Sequence, residues 1–232
     1  MEKALETLRY CISAGEHLPE ATWRAWKERT GIAITDGIGS TEMMHIFVSA
    51  AGKDIRPGAT GKAVPGYKAT ILDADGSEIK EGVGRLAIRG PTGCRYLDDP
   101  RQRDYVQGGW NVTGDTYRRD ADGYFWYLAR SDDMIVSSGY NIGAPEVENA
   151  LLSHPAVAEC AVVGMPCPDR GQKVKAFVVL SAEADASDAL IAELQAHVKA
   201  AIAPYKYPRE IEFVDALPKT ATGKLRRSEL RR

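Results

Sequence analysis

Cysteine is scarce in this sequence: there are four, Cys11, Cys94, Cys160 and Cys167, and no two form a CxxC pair. That pattern excludes a zinc ribbon or a disulfide framework and suits reduced, buried thiols. Long apolar runs are missing too. The longest mostly apolar stretches, residues 46–51 and 156–165, fall far short of the ~20 residues that span a bilayer. The opening Met1-Glu2-Lys3-Ala4-Leu5-Glu6 has neither the basic stretch nor the apolar run of a signal peptide. Charge of one sign is also lacking: the net charge is −2, too small to draw the chain to nucleic acid or an anionic membrane. A cytoplasmic protein with neither of those partners is expected.

Two familiar loops are absent as well. Lys224 is followed by Leu225, and no glycine stands five residues before Gly223, so residues 218–224 are not a Walker A loop; nor do residues 58–62 make one. The turns Asp73-Ala74-Asp75-Gly76 and Asp120-Ala121-Asp122-Gly123 lack the twelve-residue loop ending in Glu and read as hairpin turns, not calcium sites.

What is present is a chain of 232 residues, 44% hydrophobic and 27% charged, enough for a real core in one large or two small domains. Residues 2–8 read as the last turns of a helix with no capping sequence in front, which suggests a start in mid-architecture. Residues 10–14 read as a buried strand, Pro19 opens a helix to Lys27 that Gly31 stops, and residues 32–35 form a second strand ending in Asp36-Gly37-Ile38-Gly39. Strand, helix, strand is a βαβ pattern, whose strand ends commonly hold ligands. Hairpins follow over residues 67–89 and 115–129. After Arg130-Ser131-Asp132-Asp133 a compact α+β unit begins: strands at 134–137, 158–163, 175–180 and 211–214, a helix at 145–152, and a helix capped by Ser187, before a basic, polar tail. The expected class is α/β with α+β, divided into residues 1–131 and 132–232.

Four stretches offer chemistry. In Asp36-Gly37-Ile38-Gly39-Ser40-Thr41-Glu42 the glycines let a ligand approach, the hydroxyls suit phosphate oxygens, and Glu42 suits Mg²⁺. The competing reading is a glycine-rich strand-to-helix turn. Pro218-Lys219-Thr220-Ala221-Thr222-Gly223-Lys224 reads either as a mobile loop presenting Lys224 to gathered negative charge or as a solvated tail. Asp115, with Arg130 fifteen residues on, fits ribose hydroxyls and phosphate, or is a surface ion pair on a hairpin. In Ser137-Ser138-Gly139-Tyr140-Asn141 Gly139 lets a slender ligand pass, or simply turns the chain.

In order along the chain, Ser13-Ala14-Gly15-Glu16 and these stretches resemble the back half of the adenylate-forming superfamily of acyl-CoA synthetases, luciferases and peptide-synthetase adenylation domains. The resemblance implies two half-reactions: a carboxylate and ATP give an acyl-adenylate and pyrophosphate, and the thiol of CoA then displaces AMP. It implies that Gly15 and Glu16 wall the adenine site, Asp36 accepts from the adenine amino group with Gly37 beside it, Thr41 holds the α-phosphate and Glu42 the Mg²⁺. Asp115 and Arg130 then take the ribose, Asp132 is the hinge, Lys224 bridges carboxylate and α-phosphate, and Gly139 lines the pantetheine tunnel. Met43-Met44-His45-Ile46-Phe47, with residues 91–97 and 109–113, is similar to benzoate and 2-aminobenzoate ligases, so Gly39, Met44 and His45 would border an aromatic acid; the alternative is that Met44 and His45 are core. One departure stands out: the family's Gly/Ser/Thr-rich phosphate loop with its Pro-Lys end is not among these residues. The expectation is therefore a ligase part that depends on a missing N-terminal segment and has little activity alone. The rival is a non-catalytic nucleotide- or CoA-binding remnant or complementing subunit. Exposed sheet edges would favour a homo-oligomer.

Overall fold

The computed structural model describes residues 5–131, 133–221 and 223–231. The chain divides into two compact units, Met1–Ser131 and Asp132–Arg232.

The first unit opens on β1 (Cys11–Ala14), α1 (Glu20–Thr30) and β2 (Ile34–Ser40), with β1 and β2 parallel. Pro19 stands at the N-cap of α1, and Gly31 ends it in the left-handed region at φ 70°, its N–H returning to the Lys27 carbonyl, the usual task of a C-terminal glycine. β3 (His45–Ser49) runs antiparallel to β2, and β4 (Lys62–Ala63) completes a four-stranded sheet in the order β1-β2-β3-β4. The sequence placed the end of the second strand near residue 35; β2 instead runs through the glycine-rich stretch to Ser40. It turns into a strand, not a helix, which removes the strand-to-helix reading.

A second sheet is built from β5 (Lys68–Leu72), β6 (Glu78–Ile79), β7 (Gly82–Arg89), β9 (Trp110–Arg119) and β10 (Phe125–Arg130), with β8 (Val106–Gln107) paired to β9 after a short α2 (Arg101–Tyr105). Both Asp-x-Asp-Gly segments are turns: Asp73 accepts from the Asp75 and Ser77 amides, and Asp120 from the Tyr124 amide. Met43, Phe47, Val48, Ile71, Leu86, Ile88, Tyr117 and Phe125 form one buried cluster, so side chains from both sheets share a core. Thr60 and Gly61 exchange backbone bonds with Phe125. A Cβ at Gly61 would lie 2.1 Å from the Ser49 carbonyl carbon, so only glycine fits there.

In the second unit β11 (Ile135–Ser137) and β12 (Tyr140–Ile142) make a hairpin, followed by α3 (Ala144–Leu152), the long pair β13 (Val157–Cys167) and β14 (Gly171–Leu180), α4 (Asp188–Ala201), β15 (Glu210–Phe213) and α5 (Arg227–Leu230). Ser187 caps α4 by accepting from the Leu190 amide at 3.2 Å, as its sequence position predicts. Leu194 and Val198 of α4 pack with Val147 and Leu151 of α3 and Val162, Val174 and Val178 of the sheet. No helix among the described residues is long and apolar enough to cross a membrane. The four cysteines are free and only partly buried, less enclosed than the sequence suggested.

Candidate active site

The first cluster of predicted residues forms where β1 and β2 end together. Ser13 pairs with Asp36 and Ala14 with Gly37 across the parallel ladder, so Gly15 and Glu16, both exposed, leave β1 beside the Asp36 carboxylate. Asp36 Oδ1 is sealed from solvent without a hydrogen-bond partner. Burial pushes this carboxyl up to about 6, against the pull of the Gly37 backbone and the Ser13 hydroxyl. An enclosed acceptor with an oxygen left over is suited to an N–H donor brought by a ligand.

The glycines of this stretch answer mainly to the neighbouring strand. A Cβ on Gly39 would meet the His45 carbonyl oxygen at 2.5 Å, and one on Gly37 would meet the Ile46 side chain at 2.9 Å. Their bare faces admit β3 where the pairing register shifts between Ile38 and Gly39, a bulge that re-aims the residues after it. On that face the missing side chains serve strand pairing.

Beyond the bulge, Ser40–Met43 form the turn: the Met43 amide donates to Ser40 Oγ at 3.2 Å and the Met44 amide to the Ser40 carbonyl at 2.9 Å. Thr41 is exposed and Glu42 half-buried, while Met43 is fully enclosed. Glu42 Oε1 accepts from the Tyr96 hydroxyl at 2.6 Å. That bond, ahead of the opposing effect of burial and the smaller help of Ser40 and Arg101, holds the Glu42 carboxyl below its usual range. Tyr96 is itself fixed by an edge contact with Tyr105 at 5.6 Å, by Arg101 over its ring at 4.9 Å and by its amide on Gln102 at 2.7 Å. The Tyr105 hydroxyl is buried without a partner, its pKa raised by burial and by Glu42. Tyr96 and Tyr105 were missed from sequence; an aromatic distant in the chain carries no periodic signal.

Among the described residues no group of three or more His, Cys, Asp or Glu could hold a metal by itself. Glu42 alone fits a different arrangement, since Mg²⁺ is often held by one or two carboxylates together with substrate phosphates. Its lowered pKa keeps it ionised for that task.

Met44 is 76% exposed with φ at 54°, and His45 is exposed with Nδ1 2.6 Å from the Ile46 carbonyl and its ring stacked at 6.3 Å on Tyr67. The core reading of these two residues is therefore wrong; Met43 fills that role.

Asp115 and Arg130 are register partners across β9 and β10, so their spacing in sequence is the span of one hairpin. Arg130 Nη1 lies 3.9 Å from Asp115 Oδ1, with the Asp115 side chain 14% and the Arg130 side chain 53% exposed. Gly114 turns at φ 77° against the Arg130 guanidinium. Asp36 and Asp115 both act on the enclosed Tyr117 hydroxyl, whose pKa burial raises most. Tyr127 packs against the Tyr117 ring and His17 against Tyr127, at ring separations of 5.4 and 5.2 Å.

In the second unit Gly139, at φ 82° with open space around it, and Ser138, at φ 50°, form the two-residue turn between β11 and β12. Tyr140 then stacks on Tyr205 at 4.3 Å. Lys224 is exposed on a closed loop: Lys219 bridges to Leu225, the Thr220 amide donates to the Lys224 carbonyl at 2.7 Å, and the Lys224 amide donates to Thr220 Oγ1 at 3.0 Å. Of the two readings of this stretch, the solvated tail gives way to an anchored segment, with Leu225 and Leu230 packed on Ala161, Val163, Phe177 and Leu217. The expected hinge, Asp132, lies outside the described residues.

Residues 1–95 match the family described as AMP-binding enzyme, and residues 146–224 match the AMP-binding enzyme C-terminal domain. The benzoate–CoA ligase of Thauera aromatica is 50% identical over 228 residues, which is 97% of this chain and 43% of that protein. A crystal structure of the anthranilate CoA ligase AuaEII in complex with anthranoyl-AMP superposes with a TM-score of 0.90 at 48% identity, over 96% of this chain and 44% of that one. A benzoate CoA ligase from Burkholderia xenovorans LB400 gives 0.87 at 44% identity, over 97% and 45%. The chain therefore spans less than half the length of these relatives. Motifs, paired family matches and superposition agree: the chain belongs to the AMP-binding, adenylate-forming enzymes, in the neighbourhood of the benzoate and 2-aminobenzoate ligases.

Proposed function

We propose that this chain supplies the adenine, ribose and catalytic-lysine elements of an ATP-dependent, AMP-forming acyl-CoA ligase acting on benzoate or 2-aminobenzoate in the cytoplasm. The observation that carries the reading is a pair of set acids: Asp36, on the parallel β1–β2 ladder with one carboxylate oxygen sealed and left over, and Asp115, held opposite Arg130 across β9 and β10. Two acceptors of this kind suit the amino group of a base and the hydroxyls of a ribose. The two segments would be residues 1–131, part of the large domain, and residues 132–232, the small one, swinging about Asp132 between half-reactions.

In the first half-reaction a carboxylate oxygen attacks the α-phosphorus of ATP and pyrophosphate leaves. In the second, the CoA thiol attacks the acyl carbon, loses its proton, and AMP leaves. Gly15, Glu16 and Gly37 line the base and Asp36 accepts its amino hydrogen. Asp115, with Arg130, takes the ribose. Thr41, exposed on the turn, donates to an α-phosphate oxygen. Lys224 neutralises charge where two anions meet, the position at which a fixed cation lowers a barrier most. Mg²⁺, when bound, would share its charge between Glu42 and the phosphates. Gly39, Met44 and His45 border the ring of the acid, and Gly139 leaves passage for the pantetheine arm of CoA.

Calorimetry with AMP, CoA and a non-hydrolysable benzoyl-adenylate mimic tests the assignment. Nanomolar to micromolar mimic binding, lost in Asp36→Ala and Asp115→Ala, is expected; equal binding by wild type and both variants would refute it. In ATP–pyrophosphate exchange the isolated chain is expected to be nearly silent with benzoate and 2-aminobenzoate, and robust exchange would show that no further segment is needed.

A further inference from the structure

We propose that Glu148 and Arg227 are positioning residues for Lys224: an ion pair on a buried carboxylate, with a half-buried guanidinium, that sets the register of the loop carrying the lysine. The inference rests on the reading of Lys224 as the catalytic lysine, and its geometric half can be tested apart from that reading.

Arg227 Nη2 donates to both Glu148 carboxylate oxygens, at 2.7 and 2.9 Å, across 79 residues of chain. Glu148 is only 8% exposed, and its Oε1 also accepts from the Val162 amide at 2.8 Å. One carboxylate thus ties the last segment of the chain to helix α3 and to strand β13 together. The lysine sits between this anchor and the backbone bonds that close the loop, with the Arg226 amide donating to the Pro218 carbonyl at 2.9 Å.

Packing alone does not call for this arrangement. Leu225 and Leu230 already bury apolar surface in the same place, and a buried ion pair often adds less stability than two well-packed apolar side chains would. What a guanidinium on a carboxylate adds is geometric choice, because its donors sit in a rigid plane that accepts few alignments. An exposed loop rich in Lys and Arg has little apolar surface of its own to hold one register. The pair therefore selects the loop register that fixes where the Lys224 backbone stands.

The test uses the full chain and three variants: Arg227→Met, Glu148→Gln, and the double variant Glu148→Met with Arg227→Met. Amide hydrogen exchange is followed at residues 219–226, with the melting temperature and the affinity for the benzoyl-adenylate mimic. Each single variant is expected to speed exchange at Lys224 and Arg226 by roughly tenfold or more. The double variant should regain the melting temperature, yet keep fast exchange and the same loss of mimic affinity as Lys224→Ala. Recovery of protection along with melting temperature in the double variant would make the pair mere packing and overturn the proposal. If instead Lys224→Ala binds the mimic like wild type while the exchange results hold, the catalytic reading of the lysine fails and the anchor stands.

Discussion

At the scale of single residues, the most consequential group is the Asp36 carboxylate. Its folded pKa of about 6 lies above the ordinary 3.8, so its ionisation opposes folding. The sign follows directly: the penalty is absent below the unfolded value, grows as pH rises through about 6, and then stays constant. A displacement of this size is worth about 3 kcal/mol at neutral pH. Asp36→Asn should therefore be the more stable protein above pH 6, with the two urea-unfolding curves converging toward pH 4, while its affinity for AMP falls about tenfold or more. Parallel stability curves across that range would contradict the burial argument. The Tyr96 hydroxyl offers a second handle. Tyr96→Phe removes the 2.6 Å bond to Glu42 and is expected to weaken Mg·ATP binding about three- to tenfold with a stability change within about 1 kcal/mol; unchanged titrations would detach Tyr96 from the site. The sequence revealed Asp115 and Arg130 as a pair because a hairpin converts their spacing into adjacency. It could not reveal Tyr96, which stands 54 positions from Glu42 with strands β3 to β7 between them, so that no hairpin spacing or helical period links the two.

At the scale of elements, local signals were sufficient wherever they were self-contained. Ser187 capped its helix and Gly31 ended one, since each acts within a turn of its own position. The strand-to-helix reading of the glycine-rich stretch fails because the cause is non-local: Gly39 is dictated by the His45 carbonyl arriving from the next strand. Gly39→Ala should accordingly cost upwards of ~2 kcal/mol, since backbone rather than a yielding side chain blocks the added methyl. Gly15→Ala has open space and only a left-handed φ of 93° to oppose it, and should cost about 1 kcal/mol. Chemical denaturation of both variants checks the contrast, which fails if the two losses are alike. The anchored tail escaped sequence reading for a similar reason: Leu225 and Leu230 look sparse beside the basic residues around them until β13 and β14 are placed underneath.

At the scale of the whole molecule, β1 is the outermost strand of its sheet. Ile12 of β1 is 75% exposed, and Leu8 and Tyr10, just before the strand, are exposed as well, Tyr10 to 82%. An unpaired apolar edge is a template for strand addition. Tyr10→Lys combined with Ile12→Lys should lower the concentration-dependent mass seen by light scattering; identical masses for variant and wild type would show that this edge does not drive association. The fold class was readable at this scale because the hydrophobic period changes from hairpins to a helix-containing unit near Ser131, where the compact units also divide. Which surfaces the sheets leave uncovered was not readable, because that depends on strand order.

The bulged junction of β2 and β3 carries one last implication. Gly37 and Gly39 are hemmed in by neighbouring backbone and side chain, whereas Met44 and His45, a few residues on, are exposed, with the His45 ring stacked on Tyr67. Heritable variation meets opposite resistance at these neighbouring positions: the strand tolerates almost no drift, and the turn tip can be rewritten with the scaffold intact. Under the proposed function, acid preference could then diverge quickly among descendants of one ancestor without the fold having to change.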